Sequence, residues 1–202
     1  MFVEKGMSKG VKDEASVIGW VELIVMDKYG NIKYRVGSSK ENVLSKNSKD
    51  ECKDGKNCAF FSSIPTKLVD ILWSKNVITN VGIACIIRLV FAGLTENKFG
   101  YLAIGTGTTT EAVTDTALQS EIARKAATVT QETTSIEGDT AKLEAIFSSA
   151  DGLIGTHNVS ELGVFNAPSG GYMIARKVVA AVPVNWDAGE TLAARYFIQM
   201  TR

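Results

Sequence analysis

The chain has 202 residues, of which 45% are hydrophobic, and it carries 22 basic and 22 acidic side chains. This length and apolar content suit one domain with a sizeable core. The zero net charge argues against a general nucleic-acid-binding protein, because binding to phosphates needs clustered excess positive charge.

The N-terminal part predicts an arm, a hairpin and an insertion. Residues 1–16 are polar, aperiodic and without an apolar signal region, which is typical of a flexible arm or one that a partner orders. The runs VIGWVELIVM and IKYRV, separated by the turn DKYGN, predict a β-hairpin. Residues 37–63 are rich in Ser, Lys, Asn and Asp, which predicts a polar insertion at the surface.

The insertion contains two of the three cysteines of the chain. Cys52 and Cys58 flank the turn-like sequence KDGKN, so a small disulfide loop and two free thiols are both open. Two thiols are too few for a structural zinc site, and His157, the only histidine, is distant in sequence. Cys85 lies in an apolar run and is predicted to be a small core residue.

Residues 64–94 predict two helices that precede the C-terminal strands. The first, IPTKLVDILWSKN, has Pro65 in its first turn. The second, VITNVGIACIIRLVFAGL, has Thr79 or Asn80 as its cap and Gly93 as its stop. Because its apolar run is shorter than the ~20 residues that span a bilayer and includes an arginine, we expect a buried helix and no membrane segment.

From residue 99 onward the pattern changes to strands. The predicted strands are FGYLAIG, TAKLEAIFSSA, HNVSELGVFNA, YMIARKVVAAVPV and TLAARYFIQMTR, and EIARKAATVTQETTSI is predicted to begin as a short helix or turn and to continue as a strand. Short turns such as EGD, PSGG and NWDAGE join them. The sequence therefore predicts a mainly β fold, a single antiparallel β-sandwich of jelly-roll-like order over residues 17–202.

The loop GTGTTT, which follows the first of these strands, has two competing interpretations. A dinucleotide-binding loop needs a third spaced glycine, and a P-loop ends in Gly-Lys-Ser/Thr; neither pattern is present. We therefore predict a structural loop in which glycines supply unusual backbone angles and threonine hydroxyls satisfy local backbone groups.

No set of residues predicts catalysis. His157 would have to serve any Ser-His-acid triad, but Ser160 and Glu161 follow it in a strand whose side chains alternate between faces, so it is predicted to be a surface or turn residue. Two pairs of acidic residues are predicted to be caps and solvated charges: Asp115 with Glu121, and Asp187 with Glu190. We expect no catalytic, cofactor-binding or metal-binding residue, no cofactor and no enzymatic activity.

Three segments resemble one known family. Residues 101–124 carry YLAIGTGTTTEAVTDTALQSEIAR, residues 159–176 carry VSELGVFNAPSGGYMIAR, and residues 190–200 carry ETLAARYFIQM. In this order they resemble virion structural proteins of tailed phages and related archaeal viruses, which include tail, fibre and decoration proteins. The resemblance covers residues 77–200 and implies a non-enzymatic role in assembly.

The expected function is that of a virion structural protein: a tail, collar, fibre or capsid-surface component that binds itself and other virion proteins. It would be assembled in the host cytoplasm and would bind no specific nucleic acid and no membrane. Trp186, Phe165 and Tyr172 are the candidate interface residues, with Trp186 predicted to be exposed on its loop. The alternative is a receptor- or glycan-binding fibre module in which the loops GTGTTT, NAPSGG and NWDAGE form one contact end.

Overall fold

The computed structural model describes residues 16–37, 76–92 and 96–201. Within these ranges the chain forms ten strands, one α-helix and two short 3-10 turns, Ser149–Asp151 and Trp186–Ala188. The strands are β1 (Ser16–Met26), β2 (Ile32–Gly37), β3 (Val77–Ile78), β4 (Tyr101–Gly105), β5 (Glu121–Ala126), β6 (Thr128–Glu132), β7 (Thr140–Phe147), β8 (Thr156–Phe165), β9 (Met173–Asn185) and β10 (Thr191–Thr201); the helix is α1 (Asn80–Val90).

The strands form two antiparallel sheets of five strands each. The first sheet has the order β2-β1-β10-β7-β6, and the second has the order β3-β9-β8-β4-β5. One hydrophobic cluster contains Leu23 and Leu143 of the first sheet together with Leu102 and Leu162 of the second. The two sheets therefore face each other across a common core, as in a β-sandwich. The prediction of a mainly β, antiparallel fold is confirmed.

The β1–β2 hairpin forms where the sequence predicts it. Asp27 closes the turn, because its Oδ1 accepts hydrogen bonds from the backbone N–H groups of Tyr29 (2.8 Å) and Asn31 (2.9 Å). Gly30 has a φ of +83°, a left-handed conformation that glycine adopts without a steric cost. Local turn chemistry is therefore sufficient to specify this hairpin.

The segment after residue 120 differs from its prediction. It begins as strand β5, not as a helix or turn, and pairs with β4 from Tyr101↔Ala126 onward. After Ala127 the chain leaves the second sheet, and β6 pairs with β7 in the first. Pairing with a strand distant in sequence outweighs local preference here, so the local pattern could not reveal it.

Helix α1 begins at a capped N-terminus. Thr79 is the N-cap: its Oγ1 accepts a hydrogen bond from the Gly82 N–H (3.1 Å) and donates one to the Met173 carbonyl. Gly82 packs directly on Ile174 of β9, and Cys85 is fully buried, as predicted for a core residue. The expectation of a buried helix is wrong for the opposite face, where Ile87 is 51% exposed.

Several predictions fall outside the described residues. These include all of the 1–16 arm except Ser16, the polar insertion 37–63 except Gly37, and the first predicted helix. Cys52 and Cys58 also lie there, so their disulfide stays a prediction. Among the residues that are described, no helix has the length and apolarity needed to cross a membrane.

The contact between α1 and β9 can be tested with Gly82→Ala, because this substitution favours the helix through propensity but overpacks the contact. A Cβ added at Gly82 would lie 2.4 Å from the Ile174 Cα, so we expect Gly82→Ala to lower the free energy of unfolding by about 1–3 kcal/mol through overpacking. This outcome goes against helix propensity, because alanine is the better helix former. Urea denaturation measures the change.

A matched control lies on the exposed face of the same helix. Ala84→Gly changes helix propensity without this contact and should cost about 1 kcal/mol. A higher urea midpoint for Gly82→Ala than for the wild type would contradict the close packing of α1 on β9.

Candidate functional site

The loop of residues 106–120 covers the outer face of the second sheet. Leu118 of this loop packs with Ala103, Phe165 and Met173 in a small apolar cluster that is separate from the main core. Ala103 lies between two main-core residues of β4, so its side chain points to the opposite face of the sheet. The GTGTTT sequence begins this covering loop.

A buried carboxylate lies under the loop. Glu161 of β8 is fully buried. Its Oε1 accepts hydrogen bonds from the backbone N–H groups of Gly107 (3.0 Å) and Ser120 (2.7 Å), and its Oε2 accepts one from the Gln119 N–H (3.0 Å). The two ends of the loop therefore close around an anion that the chain itself supplies.

Arg176 of β9 neutralises this carboxylate. Its Nε and Nη2 donate to Glu161 Oε2 at 3.0 and 2.8 Å, and its Nη1 donates to Asp115 Oδ2 at 2.9 Å. A further bond from Nη2 to the Thr109 carbonyl (3.1 Å) reaches the tip of the loop. Burial lowers the pKa of Arg176, but the hydrogen bonds that its guanidinium donates to Asp115 and Glu161 outweigh burial and raise that pKa, so the guanidinium stays charged.

A second ion pair and a hydroxyl extend the arrangement. Lys177 Nζ lies 2.7 Å from Glu111 Oε1, and both side chains are largely buried. Ser160 Oγ donates to the Gly107 carbonyl at 2.9 Å. We call the combined set the buried polar network: Gly107, Thr109, Glu111, Asp115, Gln119, Ser120, Ser160, Glu161, Arg176 and Lys177.

The two glycines of the loop provide space. Cβ atoms at Gly105 and Gly107 would lie 2.6 and 2.4 Å from Glu161 Oε1. Neither glycine has a positive φ, so the prediction that they supply unusual backbone angles is wrong. The absence of a side chain instead lets the carboxylate approach the backbone.

The backbone donors at the centre of the loop already have partners within the chain, which argues against phosphate binding. Gly107, Gln119 and Ser120 donate their N–H groups to Glu161. The N–H groups of Thr108 and Thr109 both donate to Gln119 Oε1, at 2.8 and 2.9 Å. Two threonine hydroxyls bond side chains: Thr106 Oγ1 lies 3.1 Å from Ser120 Oγ, and Thr109 Oγ1 accepts from Arg176 Nη2 at 3.3 Å. The loop is structural, as predicted, but by a different mechanism.

The buried polar network unites parts of the chain that are distant in sequence. Asp115 comes from TDT, Glu161 from SELG and Arg176 ends YMIAR, so the first two segments of the family resemblance meet here. Sequence analysis did not single out Glu161 or Arg176 as a pair. The available signal was that Glu161 directly precedes the apolar run LGVF and Arg176 directly follows the apolar run MIA, beside a loop rich in backbone donors.

His157 of β8 has a structural role, because it accepts a hydrogen bond from a buried tryptophan. Trp186, which is 1% exposed, donates from Nε1 to His157 Nδ1 at 2.9 Å. The prediction that Trp186 is exposed is wrong, because its 3-10 turn directs the indole into the core. Ser160 and Glu161, the neighbours considered for a triad, belong instead to the buried polar network.

The other two interface candidates divide between core and surface. Phe165 is 1% exposed, lies under the 106–120 loop, and has the Arg124 guanidinium 3.4 Å from its ring centroid. This covering loop makes Phe165 unavailable to a partner. Tyr172 is 37% exposed, with Arg88 at 4.6 Å from its ring, so it alone of the three reaches solvent.

The acidic pairs considered for catalysis do not act together. Asp115 bonds Arg176, Glu121 bonds Arg124, Asp187 accepts from the Gly155 N–H, and Glu190 accepts from the Asn185 N–H. The caps are as predicted, but the prediction of solvated charges is wrong for Glu190, which is 6% exposed and also pairs with Lys33. In the described ranges, no group of three or more His, Cys, Asp or Glu side chains is arranged to hold a metal ion.

The loops proposed for a single contact end are separated. NAPSGG follows β8 at Phe165, whereas NWDAGE begins beside Thr156, the residue at the other end of β8, which pairs with Asn185. A strand of this length places the two loops roughly 30 Å apart.

Comparisons with protein-family models, with curated proteins and with solved structures found no match to this chain. The resemblance to virion proteins therefore stays a hypothesis drawn from the sequence.

The burial of Glu161 yields a direct test. Glu161→Gln replaces one acceptor oxygen with an amide that faces N–H donors, and it leaves the Arg176 charge without its buried partner. We expect the free energy of unfolding to fall by about 3–5 kcal/mol.

Glu144→Gln is the matched control. Glu144 also pairs with an arginine, Arg195 at 2.9 Å, but its side chain is 29% exposed. We expect this variant to lose no more than about 1 kcal/mol. Equal losses for the two variants in urea denaturation would contradict a special role for the buried pair.

We expect low pH to destabilise the buried polar network by protonating Asp115. Burial raises the pKa of this carboxyl, but hydrogen bonds from the Ala112 N–H and from Arg176 outweigh it and hold the pKa below its ordinary value of 3.8. A depressed pKa contributes stability that is present above the unfolded-state pKa and is lost as the pH falls through the folded-state pKa.

We therefore expect Asp115→Asn to be less stable than the wild type at neutral pH and to lose less stability on acidification. Urea unfolding from about pH 7 to about pH 3 measures both slopes. Parallel curves for the two proteins would rule out this contribution of Asp115.

Proposed function

We propose that this protein is a virion structural component, of a tail, collar, fibre or capsid surface, that acts by assembling with copies of itself and with other virion proteins. The observation that carries the proposal is the convergence of the GTGTT, TDT and ELG…AR sequences on one buried polar network. Residues that resemble those of virion proteins serve here to hold a loop on a sheet. A scaffold of this kind fits a protein that works by shape and contact.

The described surface also suits assembly. Four apolar residues on or directly after α1 are strongly exposed: Ile83, Ile87, Val90 and Phe91. Clustered apolar exposure of this kind is typical of protein contact sites and is uncommon on proteins that remain alone.

The strand pairing supports the jelly-roll-like order that the sequence predicts. The pairs β1–β10, β3–β9 and β4–β8 are nested, because each joins an earlier strand with a later one in reverse order. Such nesting arises when one long antiparallel ribbon folds over into two layers. The other five pairings depart from that order: β1–β2, β4–β5, β6–β7, β8–β9 and β7–β10.

The fibre-module alternative receives less support. It requires the loops GTGTTT, NAPSGG and NWDAGE to form one end, but two of them lie at opposite ends of β8. Three backbone donors of GTGTTT, those of Gly107, Thr108 and Thr109, are also used within the chain. We therefore prefer the structural role.

Particle composition tests this proposal. In virus particles purified from cells that produce this chain, we expect it to co-sediment through a density gradient and to resist a high-salt wash at a constant copy number per particle. Quantitative mass spectrometry measures that number, and gold-labelled antibodies mark one site on the particle. Particles that lack the chain while the cell lysate contains it would refute the virion role.

A further inference from the structure

An apolar cavity of about 560 Å³ lies between α1 and the end of the sandwich where β7 begins. Its floor includes Leu143 and Ile174, which belong to the main core, and its walls include Ile86 and Leu89 of α1. The cavity therefore reaches from the surface into the core. A flat partner could not fill it, whereas a protruding apolar side chain could.

Two of the polar side chains that line the cavity, Asp139 and Gln131, are hydrogen-bonded within the chain, and Lys98, Thr130 and Thr140 also line it. The Asp139 carboxylate accepts hydrogen bonds from the Ile136 N–H (3.0 Å) and from Gln199 Nε2 (2.8 Å). Gln131 Nε2 donates to the Gly138 carbonyl at 2.9 Å. The remaining lining is mostly apolar, and protein interiors are close-packed, so an apolar occupant would be stabilising.

The same chain carries an exposed apolar stripe on and directly after α1, here called the protrusion, that could insert into such a cavity. Ile83, Ile87, Val90 and Phe91 have the spacing of one helical stripe, and Phe91 is 77% exposed. Ile86 and Leu89, which line the cavity, lie on the neighbouring face of the same helix. Protrusion and cavity are therefore side by side on one copy.

We propose that a second copy of this chain occupies the cavity, with Phe91 of each copy inserted beside α1 of the other. Because the protrusion and the cavity are adjacent, a two-fold axis next to α1 lets both insertions form at once. This contact covers the exposed stripe as well as the cavity. A small amphiphile would fill the cavity but leave the stripe in water. The inference rests on the proposed assembly role and names its self-contact.

Sedimentation velocity over a concentration series tests the contact. We expect Phe91→Ser to raise the dissociation constant of the dimer at least about tenfold, as for a central aromatic anchor. Tyr29→Ser is the matched control, because Tyr29 is 78% exposed on the β1–β2 turn, away from the cavity. This control should leave the dissociation constant within about twofold of the wild type.

Complementary variants sharpen the test. Ala141→Phe fills the cavity from β7 but retains the protrusion, whereas Phe91→Ser retains only the cavity. Each variant alone lacks both insertions, and a mixture of the two restores one. We expect the mixture to associate more tightly than either variant alone. If Ala141→Phe does not fold by circular dichroism, Phe91→Ser against Tyr29→Ser still decides the question.

Three results would overturn the inference. They are unchanged association of Phe91→Ser, a wild-type chain that stays monomeric at high concentration, and a cavity-bound amphiphile seen by native mass spectrometry in a monomeric wild type. The first would leave self-assembly through another surface intact. None of the three removes the chain from purified particles, so the virion role is judged separately by the particle measurement.

Discussion

The second sheet depends on one carboxylate. Its outer face is closed by a loop of glycines and threonines that has Leu118 as its main apolar anchor. Such a loop contributes little hydrophobic burial, so its backbone donors must find partners inside the protein. Glu161 alone, from one buried position, accepts hydrogen bonds from three of those donors. We infer that the carboxylate fixes which loop residues meet which strand, because any shift would leave both charge and donors unpaired.

The first sheet protects its outer face differently. Glu22 of β1 is almost fully buried between Arg35 of β2 and Arg195 of β10, each at 2.7 Å. Arg195 continues to Glu144 of β7, so charges of alternating sign cross four neighbouring strands. Long side chains that lie flat cover the sheet with their aliphatic stems while their charged groups pair. Neither device operates at α1, where Ile83, Ile87, Val90 and Phe91 form an exposed apolar stripe.

Local chemistry determined what the sequence could predict. The turn at Asp27 and Gly30 and the threonine cap of α1 depend on neighbouring residues, and both were predicted. The β5 strand, the burial of Trp186 and the pairing of Glu161 with Arg176 depend on residues far apart in sequence, and all three were missed. A tryptophan in a turn between two strands has the same local pattern whether its ring points out or in. Only the His157 acceptor and the core around it determine the direction.

Whether a residue acts inside the chain or at its surface decides what the family resemblance can indicate about function. Four residues of its motifs, Gly107, Asp115, Glu161 and Arg176, form hydrogen bonds within the chain that hold a covering loop in place. Shared residues of this kind follow from a shared way of building a sheet, whatever that sheet is attached to. Residues that choose a neighbour must instead reach the surface, as Phe91 and Ile87 do. Under the proposed assembly role, the exposed stripe of α1 is therefore the part of the described surface that would select a neighbour.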